Sequence, residues 1–79
     1  MPGQIKRITW TPDVINRFRE GHRFTMATFG RALGTTGEVK ASPHKNTVWM
    51  WESGRTRPSA SAQRALDALA AREFFDGAG

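Results

Sequence analysis

Four residues near the middle of the chain have side chains of the kinds that contact the edges of base pairs. Lys45 can donate to guanine O6 and N7, and Asn46 can form two hydrogen bonds with adenine. Thr47 and Met50 carry methyl groups that can touch the methyl group of thymine. Lys, Asn and Thr also occur on ordinary solvated helix faces, so these residues alone leave both interpretations open.

Such contacts require a helix that turns these side chains outward. Val48 and Trp51, three residues apart, predict the inward side of a helix from about His44 to Glu52, which a Ser-Gly pair ends. Thr25 predicts the start of a preceding short helix over residues 26–33. The two helices and the turn between them would form the unit that positions the four side chains.

Two more helices complete the predicted domain. Thr11-Pro12 begins the first, with a hydroxyl cap followed by proline in the first turn, and Gly21 ends it. Ser59 or Ser61 caps the last, in which apolar residues recur at helical spacing. No segment shows sustained alternation of apolar and polar residues, which favours an all-α fold. The predicted core residues are Phe18, Phe29, Leu33, Val48, Trp51, Leu66 and Leu69.

Length and charge limit the classes of function. Seventy-nine residues fit one domain, and no run approaches the roughly 20 apolar residues of a membrane span. The formal net charge is +5, and residues 1–58 hold ten of the twelve Lys and Arg but only four of the seven acids. Nucleic acid is therefore the leading partner class, although an acidic protein or a membrane surface would also fit the charge. We expect no membrane partner and a cytoplasmic protein of a bacterial host cell, associated with the nucleoid.

Residues that could catalyse a reaction or bind a metal are scarce. The chain has no Cys and two His, and it has neither a G-x-S-x-G motif nor a glycine-rich phosphate loop. We therefore expect no enzyme activity, no cofactor and no metal site.

Three blocks of sequence, in order, resemble a known family. Residues 47–58, TVWMWESGRTRP, match the pattern T-V-x-x-W-E-x-G-x-x-x-P at the end of the recognition helix in the lambda-repressor/Cro (Xre) helix-turn-helix family. Residues 19–34 resemble the family's sequence upstream of the turn, and residues 58–69 resemble its fourth helix. The resemblance implies an all-α, four- to five-helix bundle of lambda-repressor-like helix-turn-helix type. The chain then divides into a basic N-terminal arm at 1–10, the DNA-binding domain at 11–72 and a short C-terminal tail at 73–79.

Three features depart from the family pattern. The turn between the second and third helices is longer by about eight residues, around 35–42. Met26 stands where the family usually has Gln, a frequent DNA contact, and Gly30 replaces the usual Ala. The enlarged turn either carries Lys40 to the phosphate backbone or changes the angle between the two helices.

The resemblance also implies a structural ion pair between Arg19 and Glu52, which would link the first helix to the end of the third. Trp49 is expected to pack on the enlarged turn, with a DNA-backbone contact and a partner interface as the alternatives. The candidate phosphate contacts are the cations and hydroxyls around the recognition helix: Arg23, Thr25, Thr28, Lys40, His44, Arg55 and Arg57.

The resulting hypothesis is a sequence-specific regulator of transcription that binds double-stranded DNA, as a Cro-like repressor of phage or prokaryotic origin. One recognition helix covers few base pairs, so we expect a homodimer, formed in solution or only on DNA, on a palindromic operator. Phe74 and Phe75 are candidate dimer contacts, with closure of the protein's own core as the alternative. Two other functions remain open. One is an antitoxin that binds a toxin protein and autoregulates its operon; the other is a phage excision factor in which the enlarged turn is the wing of a winged helix.

Overall fold

The computed structural model describes the backbone of residues 8–78 and the side chains of residues 8–73. Over this range the chain is all-helical and contains no strand. The predicted all-α class is confirmed. Residues 1–7 of the predicted arm, with Lys6 and Arg7, lie outside the described residues. The four helices are α1 (Pro12–Gly21), α2 (Met26–Gly34), α3 (Lys45–Ser53) and α4 (Ala60–Ala78).

The first two helices begin at the residues that the sequence predicts. Thr11 Oγ1 accepts the backbone N–H of Val14 at 3.2 Å, and proline follows at the first helical position. Thr25 and Thr28 form a capping box, in which each hydroxyl accepts the backbone N–H of the other residue. These bonds satisfy donors that the start of a helix otherwise leaves unpaired.

The third helix is shifted by one residue from its predicted bounds. His44 precedes α3 as its N-cap, because its Nδ1 accepts the backbone N–H of Asn46 at 3.1 Å. Gly54 ends α3 in the left-handed conformation, with φ 79°. A glycine adopts this conformation without the steric cost that other residues incur there.

The fourth helix is the longest, at 19 residues. It continues to Ala78 and so includes residues 73–78, which the sequence assigned to a tail. The side chains of Phe74 and Phe75, the candidate dimer contacts, lie outside the described residues. No helix in the described part of the chain is long and apolar enough to cross a bilayer.

The hydrophobic core brings together residues of all four helices. Phe18, predicted for the core, is only partly buried and lies at its edge, where its ring packs nearly perpendicular to the rings of Trp10 and Phe29. It lies on the last turns of α1, beside the exposed His22. The other six predicted residues are buried, and the full set is Trp10, Ile15, Phe29, Leu33, Val48, Trp51, Ala62, Ala65, Leu66 and Leu69.

Trp10 connects the start of the described chain to α4. Its ring is 9% exposed, and its indole Nε1 donates to Asp67 Oδ1 at 2.8 Å. The bond satisfies the indole N–H in a largely apolar setting. The sequence analysis placed Trp10 in the arm, but its side chain belongs to the core.

Ten residues, 35–44, connect α2 to α3 and follow turns and bends without a strand. They therefore lack the paired strands that the wing of a winged helix requires. Two glycines of α2 make room for the end of this connection. A Cβ at Gly30 would overlap the backbone carbonyl of Pro43, and one at Gly34 would overlap the side chain of Ser42. The element that approaches Gly30 closely is therefore the returning connection and not another helix.

The first half of the connection is fastened to α4. Val39 packs against the core, and Glu38 lies 3.6 Å from Arg64. Arg72 donates to the hydroxyl of Thr35 at 3.0 Å. The enlarged connection therefore contacts α4 in its first half and α2 at its end.

Candidate nucleic-acid interface

The third helix has a buried side and an exposed side. Val48 is fully buried and Trp51 is 4% exposed, and both point into the core. On the opposite side lie Asn46, Trp49 and Met50, which are three or four residues apart and so share one face of the helix. Val48 and Trp51 thus fix the rotation of α3 about its own axis, and with it the side chains that face outward.

The four candidate base contacts all reach the surface, although to different degrees. Lys45 and Asn46, in the first turn, are exposed, whereas Thr47 and Met50 are half-buried. The polar groups suited to guanine and adenine are therefore the most accessible of the set.

A network of hydrogen bonds holds the end of α3 against α1. Arg19 Nε donates to Glu52 Oε2 at 2.6 Å, and Arg19 Nη2 donates to Oε1 at 3.1 Å. Asn16 Nδ2 donates to the same Oε1 at 2.9 Å, and Arg19 Nη1 donates to the carbonyl of Phe24 at 2.9 Å. The Glu52 carboxylate therefore joins the end of α3 to α1, and Arg19 extends the network to the α1–α2 turn.

The two charged side chains of this network are removed from solvent. The side chain of Arg19 is 12% exposed and that of Glu52 is 7% exposed. The hydrogen bond that Arg19 donates to Glu52 raises the pKa of Arg19, and the guanidinium stays charged throughout the physiological range. Asn16 was not among the predicted residues; only its position, three residues before Arg19 on the same face of α1, could have indicated it.

The cations of the described chain fall into two groups. Arg17 pairs with Asp13, Arg19 with Glu52 and Arg64 with Glu38. The second group has no carboxylate within 4.0 Å among the side chains of residues 8–73. It contains four predicted phosphate contacts and three further residues, and its members are Arg23, Lys40, Arg55, Arg57, Arg31, Lys45 and Arg72. Arg72 differs from the other six because it donates to the hydroxyl of Thr35.

Arg31 is exposed on α2 and was missed by the sequence analysis as a candidate contact. It lies on the same helix as the capping threonines, with no acidic side chain within salt-bridge distance in the described range. In the sequence, Arg31 cannot be distinguished from any other surface arginine, because only the fold shows which cations have an acidic partner.

Three of the predicted phosphate contacts already have structural partners. Thr25 and Thr28 use their hydroxyl oxygens as acceptors in the capping box. His44 uses Nδ1 as the acceptor in the α3 cap, which places the ring proton on Nε2. Because phosphate oxygens accept hydrogen bonds, the Nε2–H of His44 can still donate to a phosphate. The hydroxyls of Thr25 and Thr28 are already used in the capping box.

Trp49 lies on the exposed side of α3 and is 45% exposed. The guanidinium carbon of Arg55 lies 5.0 Å from its ring centroid, the geometry of a cation–π contact. The sequence predicted packing of Trp49 on the enlarged turn, whereas the cation–π contact of its ring is with Arg55, the second residue after α3.

Met26 occupies the position where the resembled family carries Gln. It is half-buried and packs against the core. The thioether therefore contributes apolar contact at the start of α2, in place of a polar DNA contact.

Metal ligands do not cluster in the described part of the chain: no group of three His, Asp or Glu side chains is close enough to hold an ion. No protein-family model, curated protein or solved structure matches this chain. The functional interpretation therefore depends on the geometry and charge of the chain itself.

Proposed function

We propose that this protein is a sequence-specific regulator of transcription that binds double-stranded DNA, with α2 and α3 acting as a helix-turn-helix unit. The main support for this proposal is the orientation of α3, which buries Val48 and Trp51 and exposes Lys45 and Asn46. Donors and acceptors that match base edges are thus presented on a helix whose width suits the major groove.

The distribution of charge supports this proposal. Apart from Arg72, the cations with no carboxylate partner among residues 8–73 lie before, on or after α2 and α3: Arg23, Arg31, Lys40, Lys45, Arg55 and Arg57. Phosphate contacts from such cations fix the position of a protein on a duplex and provide most of the affinity, while base contacts select the sequence. Arg64 and Arg72 of α4 have partners within the protein, so the fourth helix is not part of the proposed surface.

The rigid attachment of α3 also supports the proposal. Direct readout of bases requires side chains that start from a fixed backbone. The Glu52 network fixes the end of α3, and the contact of Pro43 with Gly30 fixes the approach to its start. The helix therefore enters a groove as part of the folded domain, with little ordering to be completed on binding.

The proposed regulator acts as a homodimer on a palindromic operator in the bacterial cytoplasm. One nine-residue helix contacts only a few base pairs, so two copies about one helical turn apart are needed for a useful degree of specificity. The dimer contacts are proposed for the end of α4, where Phe74 and Phe75 occur in the sequence.

The experiment that tests the function is selection of bound sequences from random duplex DNA by the purified protein. We expect enrichment of a palindromic motif, whose half-site spacing gives the geometry of the dimer. Arg64→Ala serves as a control that enriches the same motif, because Arg64 lies on α4 and is paired with Glu38. Loss of enrichment in wild-type protein contradicts the proposal.

A second candidate function is that of an antitoxin that binds a toxin protein and autoregulates its operon. The half-exposed Trp49 favours it, because Trp is enriched at protein interfaces. Capture of the product of an adjacent toxin gene, with any enriched motif confined to the operator of the same operon, would support this function instead.

A further inference from the structure

We propose that Trp49 is a positioning residue of the DNA interface, and that its indole ring holds the guanidinium of Arg55 in the orientation that contacts a backbone phosphate. This inference rests on the proposed function and extends it to Trp49, which is neither a candidate base contact nor a candidate phosphate contact. The exposure of Trp49, the backbone path to Arg55 and the charge of Arg55 lead to it.

The first observation is the exposure of Trp49. Among the described residues, only Ile8 and Trp49 are large hydrophobic side chains with substantial exposure, each at 45%. Val48 and Trp51 on either side of it are buried, so the core of the domain does not need this ring. An indole that remains at the surface of α3 shares its face with Asn46 and Met50, the side proposed to face the duplex.

The second observation is that the backbone directs Arg55 back toward the helix. Gly54 turns the chain in the left-handed conformation, and the backbone N–H of Arg55 donates to the carbonyl of Met50 at 3.0 Å. This bond is part of the helix C-cap, so the Cα of Arg55 is held beside the last turn of α3. From there the side chain reaches back over Trp49, with the guanidinium carbon 5.0 Å from the ring centroid.

The third observation is that the charge of Arg55 has no counter-ion in the described range. No Asp or Glu side chain of residues 8–73 lies within salt-bridge distance of it. Within the described range, the guanidinium of Arg55 therefore has the ring of Trp49 as its partner. Arg19, by contrast, uses its donors on Glu52 and on a carbonyl and is unavailable to a ligand.

Stacking on a ring leaves the edge of a guanidinium free. The N–H groups of arginine lie in the plane of the group, so a ring that covers the plane does not block them. Two of these groups match the spacing of two phosphate oxygens. A side chain already held by the ring loses less rotational freedom when it binds a phosphate than a freely moving arginine does.

The test compares four proteins on a cognate and a random duplex across a range of salt concentrations: wild type, Trp49→Ala, Arg55→Ala and the double variant. We expect Arg55→Ala to lower the slope of log K against log salt by about one. Trp49→Ala should weaken binding to both duplexes alike, by about two- to five-fold, which is the strength of an exposed cation–π contact. The double variant should bind no worse than Arg55→Ala, because the ring acts through the arginine.

Two further variants serve as controls. Trp49→Phe keeps an aromatic ring and should restore most of the lost affinity, while Ile8→Ala removes an equally exposed apolar side chain and should leave binding unchanged. Circular dichroism melting of Trp49→Ala should match the wild type, since Trp49 is outside the core.

A spectroscopic measurement tests the stacking without DNA. Trp10 and Trp51 are 9% and 4% exposed, so acrylamide quenching of fluorescence reports mainly on Trp49. Arg55→Ala should increase this quenching, and addition of duplex DNA to the wild type should decrease it.

Several outcomes overturn the inference while leaving the proposed function intact. If the losses from Trp49→Ala and Arg55→Ala add fully, the two residues act independently. If Trp49→Ala weakens only the cognate duplex, the ring reads a base. If wild type binds duplex DNA but Trp49→Ala has no effect, the ring has no role there and a protein-partner surface becomes the better explanation. Failure of the wild type to bind any duplex overturns both proposals.

Discussion

The two ends of α3 are held in different ways. At its C-terminal end, the carboxylate of Glu52 is bound by Arg19 and Asn16 and is almost fully removed from solvent. At its N-terminal end, backbone packing of Pro43 on Gly30 fixes the approach, and the side chains of the first turn face water. Charge thus serves stability in the buried Glu52 network, whereas the charge of Lys45 in the first turn faces solvent.

This difference separates two uses of the same residue type. Arg19 donates to Glu52 and to the carbonyl of Phe24, so its positive charge is neutralised inside the domain. Arg55 and Arg57 follow the same helix by a few residues and have no acidic partner in the range of side chains that the structure describes. The composition of the chain does not distinguish these three arginines. In the fold, Arg19 has a structural partner, whereas Arg55 and Arg57 are exposed and have no carboxylate partner among residues 8–73.

The largest effect is expected at the C-terminal end of α3. Glu52→Ala removes the carboxylate to which Arg19 donates and leaves a guanidinium, 12% exposed, with the Phe24 carbonyl and the more distant, exposed Glu20. We expect a loss of about 3–5 kcal/mol in the free energy of unfolding, measured by chemical denaturation. Glu20→Ala is the matched control, because Glu20 lies 3.7 Å from the same arginine but is 64% exposed, and it should change stability little. Wild-type stability combined with lost DNA binding would contradict the structural role of Glu52.

Substitution near the N-terminal end of α3 should lower stability by a smaller but still measurable amount. Gly30→Ala introduces a Cβ where the Pro43 carbonyl lies, so the connection before α3 must move. We expect destabilisation of about 1–3 kcal/mol, with the same denaturation measurement. Gly21→Ala is the control, since no heavy atom lies within 4 Å of a Cβ at that position. Equal effects of the two substitutions would show that Pro43 does not hold the start of α3.

Asn46→Ala should affect binding and leave stability unchanged, because its side chain is exposed in the first turn of α3. We expect the affinity for the selected duplex to fall by about 1–3 kcal/mol, with relaxed preference at one base pair. Ser53→Ala, on the same face near the other end of the helix, should have a smaller effect on that preference. Equal losses on cognate and random DNA would reassign Asn46 to a phosphate.

Arg57→Ala should give the smallest change on any one sequence. We expect a uniform loss of affinity for cognate and random duplexes, and a decrease of about one in the dependence of log K on log salt. Arg64→Ala is the control with the same change of charge, and its salt dependence should stay near that of the wild type because Arg64 lies beside Glu38. An unchanged slope for Arg57→Ala removes Arg57 from the phosphate contacts.

Local chemistry made much of the fold predictable. Thr11 and Thr25 indicate the helix starts because a hydroxyl that accepts an N–H is needed there, and the partner lies within three residues. Val48 and Trp51 indicate the buried side of α3 because helical periodicity depends only on spacing. The boundary at His44 was harder, since histidine is an unusual cap and its role depends on the orientation of its ring.

The predicted interface was harder than the core, and Trp49 shows why. The sequence favours packing of Trp49 on the enlarged turn but is also consistent with a ring that stays exposed. Only the path of Arg55 after Gly54 shows that the guanidinium lies over this ring. The same holds for Thr25 and Thr28, which suit phosphate contacts by type but are engaged in a cap. Which polar groups remain free depends on the partners that folding provides.

The amino-acid sequence by itself determined the helical class, most helix boundaries and the outward character of Lys45 and Asn46, because these follow from contacts within a few residues of one another. Only the tertiary structure decided that Trp10 reaches Asp67, that Pro43 closes on Gly30 and that Arg55 rather than Arg19 keeps its charge available. Those outcomes join residues that are far apart in the chain, and their geometry is set by how the four helices pack, which no local pattern encodes.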